Sequence, residues 1–116
     1  MQYILLIYGN EAATAAAMAK IPPAEAYAPW ITYTEALKSA GAFRAGDPLA
    51  PVATASTVRM RDGKRQVQDG PFAETKEQLG GYYIIEAANL DEALTWAAKC
   101  PGALYGSMEV RPVGMM

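Results

Sequence analysis

The residue of this sequence best suited to acid–base chemistry is Asp69, which opens the segment Asp69-Gly-Pro-Phe72. An alternating stretch precedes it, so we expect the carboxylate at a strand end, held by a rigid Gly-Pro turn. Burial would raise the pKa of such a carboxyl group and make it a competent general base. The alternative is that Asp69 caps the turn by accepting hydrogen bonds from backbone amides, and the two roles are compatible.

Polar and aromatic side chains elsewhere in the chain are candidates for ligand contacts. Residues 74–78 are polar and precede a double glycine, a pattern typical of a solvated loop or of a pocket rim. Glu109 and Arg111 stand two residues apart on a predicted strand and share a face, either as an ion pair or as groups lining a cavity. Tyrosines near strand ends either pack or offer hydroxyl groups to a ligand. Asp69 and then Tyr105 are the candidate catalytic residues, and the candidate pocket residues are Tyr8, Phe72, Lys76, Gln78, Tyr83, Glu109 and Arg111.

The chain contains no histidine and one cysteine, Cys100. The missing histidine excludes a Ser-His-Asp or Cys-His triad and histidine-rich metal sites. A single cysteine excludes an intramolecular disulfide. Cys100 precedes Pro101 and is most simply a buried residue at a helix end, the alternative being a reactive thiol. No phosphate-binding loop or metal-ligand spacing occurs, so we predict neither a metal nor a cofactor.

The composition is that of one globular domain, which we place at residues 1–116. A net charge of -2 gives no electrostatic footprint for nucleic acid. A cluster of basic residues between 59 and 65 is interpreted as the solvated edge of a hairpin. No apolar stretch approaches the roughly 20 residues of a membrane span, and no signal-peptide pattern opens the chain. We therefore expect a cytoplasmic protein that binds neither membranes nor nucleic acid.

The elements that must position these residues follow from the periodicity of the apolar residues. Two amphipathic helices are predicted, at 25–40 with an apolar stripe that includes Trp30–Ile31–Leu37, and from Asn89 to Lys99 with Leu90, Ala93, Leu94 and Ala97 inward. Asn89 and Glu92 form a capping-box pattern, in which the side chain of each bonds the backbone N–H of the other. Trp96 falls off the second stripe, and residues 11–20 predict a turn of helix or an ordered loop. Strands are predicted at 2–8, 56–60, 65–68, 82–87 and 108–113, with Asp62-Gly63 as a hairpin turn. Gly46-Asp47-Pro48, followed by Pro51, predicts a loop.

This order of elements indicates an α+β fold with a ferredoxin-like antiparallel sheet and two helices on one face. Two of the strands, at residues 3–8 and 82–85, are apolar on both faces. The helices can cover only one face, and an exposed apolar sheet is costly in water. We therefore expect a homodimer that pairs through the other face.

The segment from Asp69 to Gly81 resembles the DGPF-motif branch of the YCII-related family. The likeness extends through Tyr8-Gly9, Gly46 and Leu49 to the closing segments Cys100-Pro101 and Gly106–Val113. It implies a ferredoxin-like α+β fold that pairs as dimeric α+β-barrel proteins do. Members of this branch often carry a histidine shortly before the closing strand, where this chain has Tyr105.

The same resemblance implies two functions of different kinds. Some members look like lyases or isomerases of small ring compounds, so the chain would be a dimeric, cofactor-free small-molecule-binding protein with Asp69 as its acid–base residue. Others occur beside or fused to alternative sigma factors, which implies a non-enzymatic regulatory or interaction module in transcription. The residues alone leave this choice open.

Overall fold

The structure, a computed structural model, describes residues 1–114, and the last two residues of the predicted domain, Met115 and Met116, lie outside the described residues. Its elements in chain order are β1 (Gln2–Gly9), α1 (Glu11–Met18), α2 (Pro23–Ser39), β2 (Phe43–Pro48), a 3₁₀ turn (Val52–Thr54), β3 (Ser56–Arg61), β4 (Lys64–Asp69), β5 (Gln78–Glu86), α3 (Leu90–Lys99), α4 (Gly102–Tyr105) and β6 (Ser107–Pro112).

Four antiparallel strands form the main sheet in the order β2-β5-β1-β6. With α2 and α3 they give the β-α-β-β-α-β order of ferredoxin-like folds. The strand β2 was predicted as a loop because it contains Gly46 and Pro48. Both residues are tolerated here because β2 is an edge strand, paired on one side only.

The predicted hairpin forms as β3 and β4, but it stands apart from the main sheet as a two-stranded sheet of its own. Its turn is the one that Asp62-Gly63 predicts, since both residues have positive φ, 53° and 72°. We call residues 56–69 the hairpin arm. Pro48 and Pro51 end the preceding strand and lead the chain away from the sheet.

The hydrophobic core lies between α2, α3 and one face of the main sheet. Tyr33 holds the layers together: its ring packs edge-on against Tyr83 of β5, with centroids 5.3 Å apart. Its hydroxyl group donates a hydrogen bond to the carbonyl oxygen of Trp96 in α3, at 2.8 Å. The buried core residues are Tyr3, Leu5, Tyr33, Leu37, Ala42, Tyr83, Ile85, Ala87, Ala93, Ala97 and Cys100.

Two predicted helix stripes are only partly buried in the structure. In α2 the side chain of Ile31 is exposed, and in α3 those of Leu90 and Leu94 are about half exposed. Ala93 and Ala97 of the predicted stripe are buried in the core as expected, and their small side chains let α3 approach the sheet closely. Trp96, which lies off the predicted stripe, is partly exposed, and its ring packs against the core 6.3 Å from that of Tyr33.

Residues 11–18 form a full helix, α1, where the sequence predicted a turn of helix or a loop. Asn10 caps it, its side-chain oxygen accepting a hydrogen bond from the backbone N–H of Ala13 at 2.8 Å. No residue of α1 is buried, and its face is alanine-rich rather than amphipathic. The helix is therefore held by its cap and its N-terminal contacts, which the apolar pattern could not reveal.

The face of the main sheet away from the helices carries apolar side chains, as the sequence predicted. In β1, Tyr3 and Leu5 are buried in the core while Ile4 and Leu6 point the other way and are half-buried. We call this second surface the open face. Its side chains across the four strands are Ala45, Asp47, Tyr82, Ile84, Ile4, Leu6, Glu109 and Arg111.

Candidate functional site

A cleft of about 1060 Å³ opens beside the main sheet, between the ends of β1, β2 and β5 and the helices α1 and α2. Most of its wall is aromatic or aliphatic, with polar groups at intervals, which is the usual make-up of small-molecule sites. The apolar lining includes Ile7, Met18, Tyr27, Trp30, Leu49 and Val52. The polar lining includes Tyr8, Asn10, Glu11, Thr14, Thr34, Asp47, Gln78, Tyr82, Tyr83 and Tyr105.

Glycines allow the walls of this cleft to approach one another. A Cβ atom on Gly46 would lie 2.6 Å from the ring carbon Cδ1 of Tyr83. A Cβ atom on Gly102 would lie 2.7 Å from Cγ2 of Ile7 and 3.3 Å from the ring of Trp30. Any larger residue at either position would push an aromatic or aliphatic wall residue out of place.

Hydrogen bonds around the start of α1 fix one rim of the cleft. The carboxylate of Glu11 accepts a hydrogen bond from the backbone N–H of Val52 at 2.9 Å. The backbone N–H of Glu11 donates to the side chain of Gln78 at 3.0 Å, and Asn10 donates to the carbonyl oxygen of Lys76 at 3.1 Å. The helix is thereby tied both to the 3₁₀ turn and to the segment that enters β5. Glu11 is engaged in this rim, so it is a structural carboxylate.

Asp47 and Tyr82 form a polar pair at the β2–β5 wall of the cleft, with their side chains on the open face. They lie directly opposite each other on β2 and β5, and the hydroxyl group of Tyr82 donates to Oδ2 of Asp47 at 3.0 Å. This hydrogen bond, and next the negative charge of Asp47, raise the pKa of Tyr82 above its ordinary value. Tyr82 therefore stays protonated in neutral solution, while Asp47 keeps its other carboxylate oxygen for a ligand.

A second pair of hydroxyl groups lies deeper in the wall. Thr34 of α2 and Tyr83 of β5 are joined by a hydrogen bond of 2.7 Å in which either oxygen can donate. Burial raises the pKa of Tyr83, and the hydrogen bond with Thr34 offsets part of that effect. The pair offers one hydroxyl proton and free lone pairs to a bound molecule without carrying a charge.

Of the sequence-predicted site residues, Tyr8, Gln78, Tyr83 and Tyr105 line the cleft. Asp69 lies outside it, at the base of the hairpin arm opposite Ser56. The other four also lie outside: Phe72 is an exposed turn residue, Lys76 contributes a backbone carbonyl group to the rim, and Glu109 and Arg111 form an ion pair on the open face.

The sequence reasoning missed Asp47 and did not place Tyr82 beside it. Gly46-Asp47-Pro48 was interpreted as a loop, so no strand alignment joined the two residues. The signal was an acidic residue next to glycine and proline, which also occurs in ordinary turns. Only the pairing of β2 with β5 brings the carboxylate and the phenol together.

Other chemistry is limited in the part of the chain that the structure describes. Residues 1–114 contain no group of three histidine, cysteine, aspartate or glutamate side chains placed to hold a metal ion. Cys100 is buried, as predicted, and burial raises the pKa of its thiol, which keeps it protonated and unreactive. No helix among these residues is long and apolar enough to cross a membrane.

The fold and the sequence together define the family. The chain belongs to the YCII-related domain family, which matches it over residues 1–116. It is 51% identical over 69 residues to the Uncharacterized protein R00369 of Rhizobium meliloti (strain 1021). That match covers 58% of this chain and 56% of the relative, so the chain spans little more than half the length of the curated relative it matches.

A solved structure shares the fold over almost the whole chain. It is 5-chloro-2-hydroxyhydroquinone dehydrochlorinase (TftG) from Burkholderia phenoliruptrix AC1100, in complex with 2,5-dihydroxybenzoquinone. The TM-score is 0.55 at 18% sequence identity, and the alignment covers 98% of this chain and 94% of the other. At this identity the similarity is one of fold.

Proposed function

We propose that this chain is a DGPF-branch member of its family that binds a small ring compound and acts as a cofactor-free lyase or isomerase. The observation that carries the proposal is the cleft with its largely apolar wall, bounded at β2 and β5 by an Asp47–Tyr82 pair that lies at hydrogen-bond distance on the open face. A protein of similar fold, TftG, is a dehydrochlorinase of a hydroxyhydroquinone, which supports the substrate class.

In the proposed reaction the wall of the cleft would bind the substrate ring, and the Asp47–Tyr82 pair would carry out the proton transfer. Trp30 and Tyr27 offer aromatic surfaces against which a planar ring can stack. Asp47 would remove a proton from the substrate. Once Asp47 is protonated, the hydroxyl group of Tyr82 would turn from it and donate its hydrogen bond to the substrate oxygen that gains negative charge. The proton held by Asp47 then returns to the product or to the leaving group, so neither metal nor redox cofactor is needed.

Asp69 remains a second candidate for the acid–base role. It lies outside the cleft of its own chain, so it would act only at a surface formed with another subunit. The dimer proposed from the sequence gives such a surface. Its support is the open face, where Ile4, Leu6 and Ile84 leave apolar groups half-exposed. Pairing two open faces would bury them and bring Glu109 and Arg111 to the interface.

Ligand binding is tested by calorimetric titration with 2,5-dihydroxybenzoquinone and a panel of substituted hydroquinones. Saturable binding is expected, and Ala15→Trp should weaken it at least tenfold because Ala15 lines the cleft. Ala16→Trp is the matched control, since Ala16 is the next residue of α1 and does not line it. No binding by any compound, or equal binding by both variants, would reject the site and favour the interaction module instead.

A further inference from the structure

Among residues 1–114, the hairpin arm has no strand partner outside itself. β3 and β4 pair only with each other, and the main sheet contains neither of them. At the base of the arm, the backbone N–H of Gly70 bonds to the carbonyl oxygen of Ala55 at 2.7 Å. The radius of gyration is 16.2 Å, against about 13 Å for a compact chain of this length. The arm therefore projects from the body of the molecule, which we define as residues 1–55 and 70–114.

One face of this arm is apolar although it is exposed. Val58 and Val67 lie directly opposite each other and are 61% and 56% exposed, and Met60, on the same face, is 59% exposed. The other face carries polar side chains such as Arg59 and Gln66. Alternation is strict along β3, which is the pattern of a strand with one buried face, while on β4 Val67 shares the apolar face with Arg65, opposite Met60. An isolated two-stranded hairpin is at best marginally stable in water, so the apolar face needs a cover.

Charge favours a second copy of this chain as that cover. Within residues 56–69 there are four basic side chains and two acidic ones. The whole chain has 10 basic and 12 acidic residues, which leaves six basic and ten acidic residues in the body. The arm is thus positive and the body negative, so an arm is attracted to the body of another molecule and repelled by its arm. A phosphate polymer is less suitable as the cover, because the net negative charge of the body would repel it.

The area that a stable dimer needs points the same way. Four strands at the usual spacing, each about six residues long, give the open face a footprint of roughly 400 Å². A standard interface buries about 800 Å² on each partner. Each arm face covers about 200 Å² by the same spacing. Each chain would bury its own arm face and the surface that receives the partner's arm. Together these two areas supply about the difference between the open-face footprint and a standard interface.

We propose that two chains exchange arms, the apolar face of each hairpin arm docking on the body of the other copy beside the joined open faces. The inference rests on the homodimer proposed above and adds a surface to it. The exchange buries Val58, Met60 and Val67. It also carries Asp69, at the base of the arm, to the boundary between the two subunits.

Sedimentation equilibrium of matched variants tests the exchange. Val67→Asp places a charge on the apolar face of the arm and should raise the dimer dissociation constant at least tenfold. Gln66→Asp is the control, since it makes the same charge change one residue away on the opposite face and should alter that constant less than threefold. Equal dissociation constants for the two variants, or a wild-type chain of 12.4 kDa at 200 µM, would overturn the proposal.

Two further measurements distinguish a loss of arm docking from misfolding and from a failure of the proposed function. Amide hydrogen exchange of residues 57–68 in the wild type should slow as protein concentration rises. A hydrogen-exchange rate that does not depend on protein concentration would overturn the proposed swapping of arms between chains. If Ile84→Asp on the open face abolishes the dimer while Val67→Asp does not, the open-face dimer stands and the arm exchange is wrong. Loss of ligand binding in the calorimetric titration, with the arm effects intact, would overturn only the proposed function.

Discussion

At the scale of single residues, the chemistry of the cleft depends on two side chains that neither strand could supply alone. Asp47 provides a carboxylate with one oxygen free, and Tyr82 provides a phenol whose proton is held in place by that carboxylate. A base that already accepts a hydrogen bond is fixed in one rotamer and needs no reorganisation when a ligand arrives. In the proposed reaction Asp47 removes the proton, and Tyr82 then turns its hydroxyl group to the developing oxyanion.

The first prediction concerns this pair. Asp47→Asn should lower the pKa of Tyr82 towards its ordinary value, because it removes both the hydrogen bond to a charged acceptor and the negative charge. The shift can be followed by nuclear magnetic resonance of a labelled Tyr82 ring carbon as the pH is raised. The same variant should lose about 100-fold or more in turnover of any ring substrate found.

Asp69→Asn is the matched control for both measurements. It should leave the pKa of Tyr82 unchanged, since Asp69 lies in the arm and outside the cleft. An equal loss of turnover in both variants would show that both carboxylates take part. A larger loss in Asp69→Asn would transfer the acid–base role to Asp69 and contradict the assignment of Asp47.

The second prediction concerns Tyr33, the buried phenol that bonds to the carbonyl oxygen of Trp96. Burial is the main cause that raises the pKa of Tyr33 above the unfolded value of about 10. Its contribution to stability is therefore complete below pH 10 and is lost as the pH rises towards the folded pKa. Tyr33→Phe should lower the free energy of unfolding by about 1 kcal/mol at neutral pH and flatten its fall above pH 10.

Urea unfolding at a series of pH values up to 11 measures both effects. Tyr27→Phe is the control, because Tyr27 is exposed and its hydroxyl group is not buried in the core. The variant at Tyr27 should follow the wild-type curve at every pH. The same alkaline slope in wild type and Tyr33→Phe would contradict the role assigned to Tyr33.

At the scale of elements, the sequence predicted the turns and helix ends that are stabilised by interactions between residues close together in the chain. The hairpin turn at Asp62-Gly63 and the cap at Asn89 both form, with Asn89 accepting from the backbone N–H of Glu92 at 2.9 Å. The carboxylate of Glu92 returns a bond one residue earlier than predicted, to the N–H of Ala88. Such signals are readable because cap and turn residues act on backbone groups a few positions away.

The elements that the sequence missed are held by distant contacts. β2 exists because it pairs with β5, and α1 because its first residues bond to Gln78 and Val52. Neither element has an apolar period of its own. In α3 the leucines were expected to face inward together with Ala93 and Ala97, but only the alanines are buried. The cleft lies between these missed elements, so most of its lining could not be predicted.

The third prediction concerns Gly106, between α4 and β6. A Cβ atom at this position would overlap the carbonyl oxygen of Tyr8, a backbone atom of β1 that cannot rotate away. Gly106→Ala should therefore lower the free energy of unfolding by about 3 kcal/mol, the upper end for overpacking. Gly114→Ala is the control, since nothing lies within 4 Å of its Cβ position. Urea unfolding of both variants measures the difference, and equal stabilities would contradict the close approach of Gly106 to β1.

At the scale of the whole molecule, two apolar surfaces are left uncovered by a single chain. The open face and the apolar face of the hairpin arm were both readable in the sequence as alternating or doubly apolar strands. The sequence could not show that the arm leaves the main sheet. That separation leaves the apolar face of the arm exposed in addition to the open face.

The last prediction is that thermal stability depends on protein concentration. If folding is coupled to pairing, a 100-fold rise in protein concentration adds about 2.7 kcal/mol to the stability of the dimer by mass action. The midpoint of thermal unfolding should then rise by several degrees between 2 and 200 µM. Ile84→Asp places a charge on the open face, and its midpoint should be lower and the same at both concentrations. Scanning calorimetry measures both proteins, and a wild-type midpoint that does not move with concentration would contradict an obligate dimer.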